Sequence, residues 1–108
     1  MSIKLSAKSQ KFIAKNNVHN LFIDLAYIEE PCVQIYEPKI KMIEDKNLGK
    51  FDEVNRISNE SLTIFISDAF TKTYGKLDKY FLDRGGIVKK NLFLRNVDPI
   101  IKNICKTK

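Results

Sequence analysis

Two stretches of this chain are apolar on both faces of a strand, which few small folds can accommodate. In Leu21-Phe22-Ile23-Asp24-Leu25-Ala26-Tyr27-Ile28, the residues Leu21, Ile23, Leu25 and Tyr27 share one face, and most of those between them are apolar too. A strand of this kind has to be covered on both sides, so it predicts a central position in a sheet. Leu62-Thr63-Ile64-Phe65-Ile66 is the clearest strand in the chain. Because side chains alternate along a strand, Leu62, Ile64 and Ile66 should join Leu21, Ile23 and Leu25 in one continuous core. The 108 residues leave room for one domain over 1–108 and none for a second. With 44% hydrophobic and 30% charged residues, disordered and collagen-like classes are excluded.

Around these strands the local signals alternate between extended and helical. Ile3-Lys4-Leu5 predicts a short strand, and Ser6 a cap for a helix over about Ala7 to Lys15, with Phe12 and Ile13 on its apolar face and Asn16-Asn17 as its stop. Glu29-Glu30-Pro31-Cys32 predicts a loop. Val33 to Tyr36 and Lys39 to Ile43 predict two short strands or one strand kinked at Pro38. Phe51 to Ile57 predicts a strand and Ser58-Asn59-Glu60 a hairpin turn. Ser67-Asp68 should cap one helical turn through about Lys72, closed by Gly75. Leu77 to Leu82, a turn at Gly85-Gly86 and Ile87 to Leu94 complete the strands. Asp98 before Pro99, with Ile100, Ile101 and Ile104 following, predicts a short C-terminal helix. The fold class expected is therefore α+β, a small and mostly antiparallel β structure with a helix near each end.

Net charge is +6, and it divides unevenly: residues 1–54 hold 8 Lys and Arg against 8 Asp and Glu, residues 55–108 hold 11 against 5. A basic surface of this kind is either a solvated, solubilising face or an attractor of phosphate backbones, acidic proteins or anionic membrane. No apolar stretch approaches the ~20 residues of a membrane span and no secretory leader is visible, so the expected location is cytoplasmic. In that reducing compartment Cys32 and Cys105 are expected as thiols or ligands rather than as a disulfide. Cys32 is either a soft thiolate ligand on a loop or a small buried hydrophobe; Glu29 and Glu30 beside it would hold its thiol protonated. Cys105 either adds a second ligand or ends the terminal helix. His19 reads as an exposed loop residue, Asp68 as a cap and Asp78 as a structural acceptor. Tyr27, Tyr36, Tyr74 and Tyr80, with Lys79, Lys89 and Lys90, read as core and rim packing in preference to a surface for single-stranded nucleic acid. Gly85-Gly86 precedes a strand and lacks the context of a phosphate-binding loop.

Several short motifs carry a resemblance to a known family. Ile3-Lys4-Leu5-Ser6-Ala7, Ile64-Phe65-Ile66-Ser67-Asp68, Tyr74-Gly75-Lys76-Leu77-Asp78-Lys79-Tyr80 and Gly86-Ile87-Val88-Lys89-Lys90-Asn91 occur in the order of similar segments in the HesB-like A-type iron-sulfur carriers. Cys32 falls in the loop where that family keeps its first cysteine. A branch of small HesB-like proteins, with a Cys-Cys or Cys-selenocysteine pair in this loop, is similar in length and in its Leu21-Phe22-Ile23-Asp24-Leu25 strand. The family's Cys-Gly-Cys is absent after Asn91, where Leu92-Phe93-Leu94-Arg95 stands. The resemblance implies a HesB-like fold and a non-enzymatic protein binding iron or an iron-sulfur cluster weakly through Cys32, with Cys105 as the second ligand. It also implies a partner in iron-sulfur assembly. Four thiolates, the usual set for a cluster, would require a homodimer. The alternative is a metal-free basic binding module for a protein or nucleic-acid partner, with nucleic acid the lesser of the two.

Overall fold

The computed structural model describes residues 2–50, 56–59, 62–85 and 91–105. Strand β1 (Ser2–Leu5) leads into helix α1 (Ala7–Lys15), followed by a long hairpin of β2 (Asn20–Glu30) and β3 (Val33–Ile43). After a 3-10 helix over Asp45–Lys50 come β4 (Arg56–Asn59), β5 (Leu62–Ile66), helix α2 (Asp68–Tyr74), β6 (Lys79–Gly85), β7 (Asn91–Leu94) and β8 (Ile100–Asn103). The strands form a five-stranded sheet in the order β4-β5-β2-β3-β8 and a three-stranded sheet in the order β1-β6-β7. Each sheet is mixed: β2 runs parallel to β5 and β1 parallel to β6, and the remaining pairs are antiparallel.

The expected fold class is corrected on two counts. Strands dominate in two mixed sheets instead of one mostly antiparallel body, and the C-terminal segment is a strand, not a helix. Ile100, Ile101 and Ile104 fit the spacing of a helical face, yet a segment this short cannot sustain a helix by propensity. Here it satisfies its backbone against the outer edge of β3, pairing Ile101 with Ile35 and Ile100 with Tyr36. Ser58 and Asn59, expected in a turn, are the last residues of β4. The expected strand residues 51–55 and 87–90, and the turn residues Glu60 and Gly86, lie outside the described residues.

Both sheets and α2 share one core. Ile3, Leu21, Ile23, Ile57, Leu62, Ile64, Ile66, Phe70, Tyr80, Leu82 and Leu94 are all buried in it. Five of the six residues expected there are present, and Leu25 is the exception, being only half-buried. The register explains why. β5 ends at Ile66 opposite Ile23, so the next inward residue of β2 has lost that neighbour and faces Pro38 of β3. Past this point the hairpin runs on beyond the end of β5, and Tyr27 and Ile28 are exposed.

The local caps follow the sequence closely. Ser6 Oγ accepts from the amide of Ser9, and Ser67 Oγ from the amide of Phe70, each relieving a helix start of one unpaired donor. Asn17 has φ 51° just after the end of α1, and Gly75 has φ 81° at the end of α2. Ser9, fully buried, places its hydroxyl 2.8 Å from Ser6 O and 3.2 Å from Leu82 O, which ties α1 to β6. No helix among the described residues is long and apolar enough to cross a membrane.

Candidate functional site

The two cysteines, 73 positions apart, meet. β2 and β3 are joined by the two-residue turn Pro31-Cys32, and β8, antiparallel to β3, returns Cys105 to that turn. The sulfurs form a disulfide with Cα atoms 4.4 Å apart. The expectation of two thiols is corrected, because a disulfide sulfur lacks the negative charge a thiolate ligand supplies. Glu29 Oε1, expected to act on the Cys32 thiol, accepts from the Tyr27 hydroxyl at 2.8 Å and from Gln34 Nε2 at 3.4 Å. Among the described residues no three His, Cys, Asp or Glu side chains group as a metal site.

The remaining candidates scatter. His19 is exposed with its Nδ1 3.7 Å from Asp45, and Asp24 faces Lys41 on the outer side of the hairpin. Tyr80 is buried in the core, where desolvation raises its pKa, and Tyr74 packs on Phe70 with ring centroids 4.9 Å apart. Tyr27 and Tyr36 lie ring to ring on the hairpin, 5.0 Å apart. Lys89 and Lys90 lie outside the described residues. The Tyr74 hydroxyl lies 3.3 Å from Tyr36 O, so Tyr27, Tyr36 and Tyr74 adjoin one another while Tyr80 is apart from them in the core.

A cationic groove that sequence reasoning missed lies between α1 and the end of β6. Lys8, Lys11 and Lys15 are spaced i, i+3 and i+7, so the 3.6-residue period puts them along one face of α1 over about 10 Å. Across from them, Arg84 of β6 sets its guanidinium 4.4 Å from the centre of the Phe12 ring, a contact that suits a planar, weakly hydrated cation. These side chains, with Asn16, line a cavity of about 520 Å³, and no Asp or Glu is among the described residues that line it. Arg84 Nε is buried and finds no hydrogen-bond acceptor among the described residues.

The carboxylate next to Arg84 in sequence is already engaged. Alternation along β6 puts Asp83 on the other face, where Arg95 reaches it with Nε at 2.9 Å and also with Nη2. A hydrogen bond with Ser6, the Arg95 fork and the Arg84 amide lower the Asp83 pKa from 3.8 to about 2, so it stays ionised and paired. Its charge is spent on Arg95, and among the described residues no carboxylate lines the groove with these cations. A larger cavity of about 670 Å³ lies on the other side of α1, with Ile3, Leu5, Ile13, Val18 and Leu62 among its walls. Two amides at its rim are committed to the backbone, Gln10 to Leu5 O and Asn59 to Ile3 O. Lys4, Asn17 and His19 line it as well, with Lys4 Nζ 5.7 Å from the centre of the Phe81 ring and His19 Nδ1 3.7 Å from Asp45.

No family model matches the chain, and no curated protein does. One solved structure, the solution NMR structure of a protein from Aquifex aeolicus, is similar over 88% of this chain and 91% of that one, at 15% identity and a TM-score of 0.44. A likeness this distant carries no argument about fold or function, and the HesB-like resemblance gains no support from it.

Proposed function

We propose that the protein is a non-enzymatic binding module that takes an extended anionic partner in the groove between α1 and β6. The observation that supports this reading is the set of four cations, Lys8, Lys11, Lys15 and Arg84, around one cavity with no acidic residue among its described lining. Cations so placed add their fields, attract polyanions from solution and gain free energy by releasing counterions. Arg84 supplies planar recognition of a phosphate or carboxylate, and the lysines supply point charges along its length. Fluorescence anisotropy with a labelled single-stranded oligonucleotide and a labelled acidic peptide, each at 50 and 200 mM salt, tests the reading. Binding of either probe that weakens with salt, and at least tenfold in Lys11→Glu, is expected. Failure of both probes to bind at 50 mM salt would refute it.

The meeting of Cys32 and Cys105 favours a second reading. Reduced, the pair would offer two soft ligands from one chain, and two chains would complete the four thiolates of an iron-sulfur cluster. This reading goes with a cytoplasmic protein and a homodimer, since thiols persist there and four sulfurs need two copies. Anaerobic reconstitution with iron and sulfide tests it: equal iron in the unaltered protein and Cys32→Ser would end it.

A further inference from the structure

The edge strand β8 is held by few things besides a sulfur bond. It pairs with four residues of β3, Val33 to Tyr36, and buries little: Ile101 is 68% exposed, Ile104 47%, and Lys102 and Asn103 are exposed as well. At one end Ile104 N–H donates to Cys32 O at 2.8 Å. At the other, the Tyr74 hydroxyl lies 2.9 Å from Asp98 O. A short edge ladder with this little apolar contact sits at the low end of local stability.

Cys32 also occupies an unusual backbone position. Its φ of 70° falls in the left-handed region, where a Cβ crowds the backbone and glycine is the residue that fits freely. A cysteine there is disfavoured locally, and the two-residue turn that closes the β2–β3 hairpin imposes the conformation. Both cysteines are half-buried and lie at the tip of the hairpin and the end of the edge strand, away from the shared core.

We propose that the Cys32–Cys105 disulfide is a redox-operated latch on β8, independent of the anion groove. A dithiol reductant opens it by exchange: one thiolate attacks a cysteine sulfur to give a mixed disulfide, and the second thiol displaces the other bond. Cys32 and Cys105 gain two electrons and two protons, and the reductant leaves as its cyclic disulfide. β8 then detaches as a unit, Lys102 leaves its place 5.4 Å from the Tyr36 ring, and the outer edge of β3 from Val33 to Tyr36 opens. The body stays folded, because the shared core includes no residue of β8.

Hydrogen exchange on the full chain tests the proposal, oxidised and in dithiothreitol, with thiols counted in parallel. On reduction, amides in 33–36 and 100–104 that pair β3 with β8 should exchange at least tenfold faster and close to unprotected rates, those of β2, β5 and β6 should remain protected, losing only what global stability loses, and reoxidation should restore protection. Cys105→Ser should match the reduced protein without reductant. Cys32→Gly, which removes the sulfur while suiting the turn, should do the same and so separates the latch from turn conformation. Two counted thiols with unchanged exchange would overturn the proposal. So would loss of protection throughout the chain, or two thiols that no disulfide oxidant closes.

Discussion

Replacing Ile64 by alanine should cost several times more than replacing Leu25, although both face the same side of neighbouring strands. Ile64 is fully buried in β5, between Ile57 of β4 and Leu21 of β2, both themselves buried. The change removes three carbons, a transfer loss of about 2.4 kcal/mol at about 0.8 per methylene. Rigid strands on both sides limit collapse, so a cavity contribution should bring the total to about 3–4 kcal/mol. At Leu25 the same three carbons are lost from a half-buried side chain beyond the end of β5, where solvent can fill the space. The expected loss there is about 1 kcal/mol. Urea unfolding of the two variants, analysed with a common slope, measures the difference. Equal losses at the two positions would refute the argument that β5, by ending at Ile66, sets the limit of the core.

Three other outcomes follow from the geometry. Cutting the disulfide should lower global stability by about 2–4 kcal/mol, below the ~4.4 of the chain-entropy account because the freed tail gains motion in the native state too; an unchanged urea midpoint in Cys105→Ser would contradict it. The Asp83 carboxylate, its pKa depressed by Ser6, Arg95 and the Arg84 amide, should contribute stability in full above its ordinary value of 3.8 and lose it as pH falls through about 2. Arg95→Met should move the Asp83 titration upward, as followed by carboxyl NMR, and an unmoved titration would show that Arg95 plays no part. Ser67→Ala, which removes the acceptor for the Phe70 amide, should cost about 1 kcal/mol in thermal or urea unfolding.

What could be read from the sequence was set by local physics. α1, its Ser6 cap and β5 appear where expected because a cap, a period and a β-branched run each act within a few residues. The C-terminal segment was misread because Ile100, Ile101 and Ile104 satisfy a helical spacing as well as they satisfy a strand, and what decides between them is the edge of β3, more than sixty residues away. The parallel pairs that overturn the expected sheet arrangement are likewise non-local, and no periodicity within β1 or β5 announces them. Nor did the spacing of Cys32 and Cys105 show that they would be brought together. The cationic groove left a usable signal. Lys4, Lys8, Lys11 and Lys15 precede the first acidic residue, Asp24, and three of them repeat along one helix face. Dividing the charge by halves of the chain concealed it, because acidic residues later in the first half cancel these four.

The parallel pairing of β1 with β6 also governs when this chain can fold. Ser2 finds its partner in Lys79, 77 positions later, and Leu5 in Leu82. At roughly 5–20 residues per second, a ribosome takes about 4–15 s to deliver β6 after β1 has been made. For that interval β1 has no strand to join, and α1 lacks the Leu82 carbonyl against which Ser9 is set. Long-range pairings of this kind are slow to form because the loop must close before any contact compensates for it. The three-stranded sheet can therefore form only once β6 has been made. Nascent chains arrested before residue 79 should leave residues 2–15 open to protease even where β2, β3 and β5 have already been synthesised.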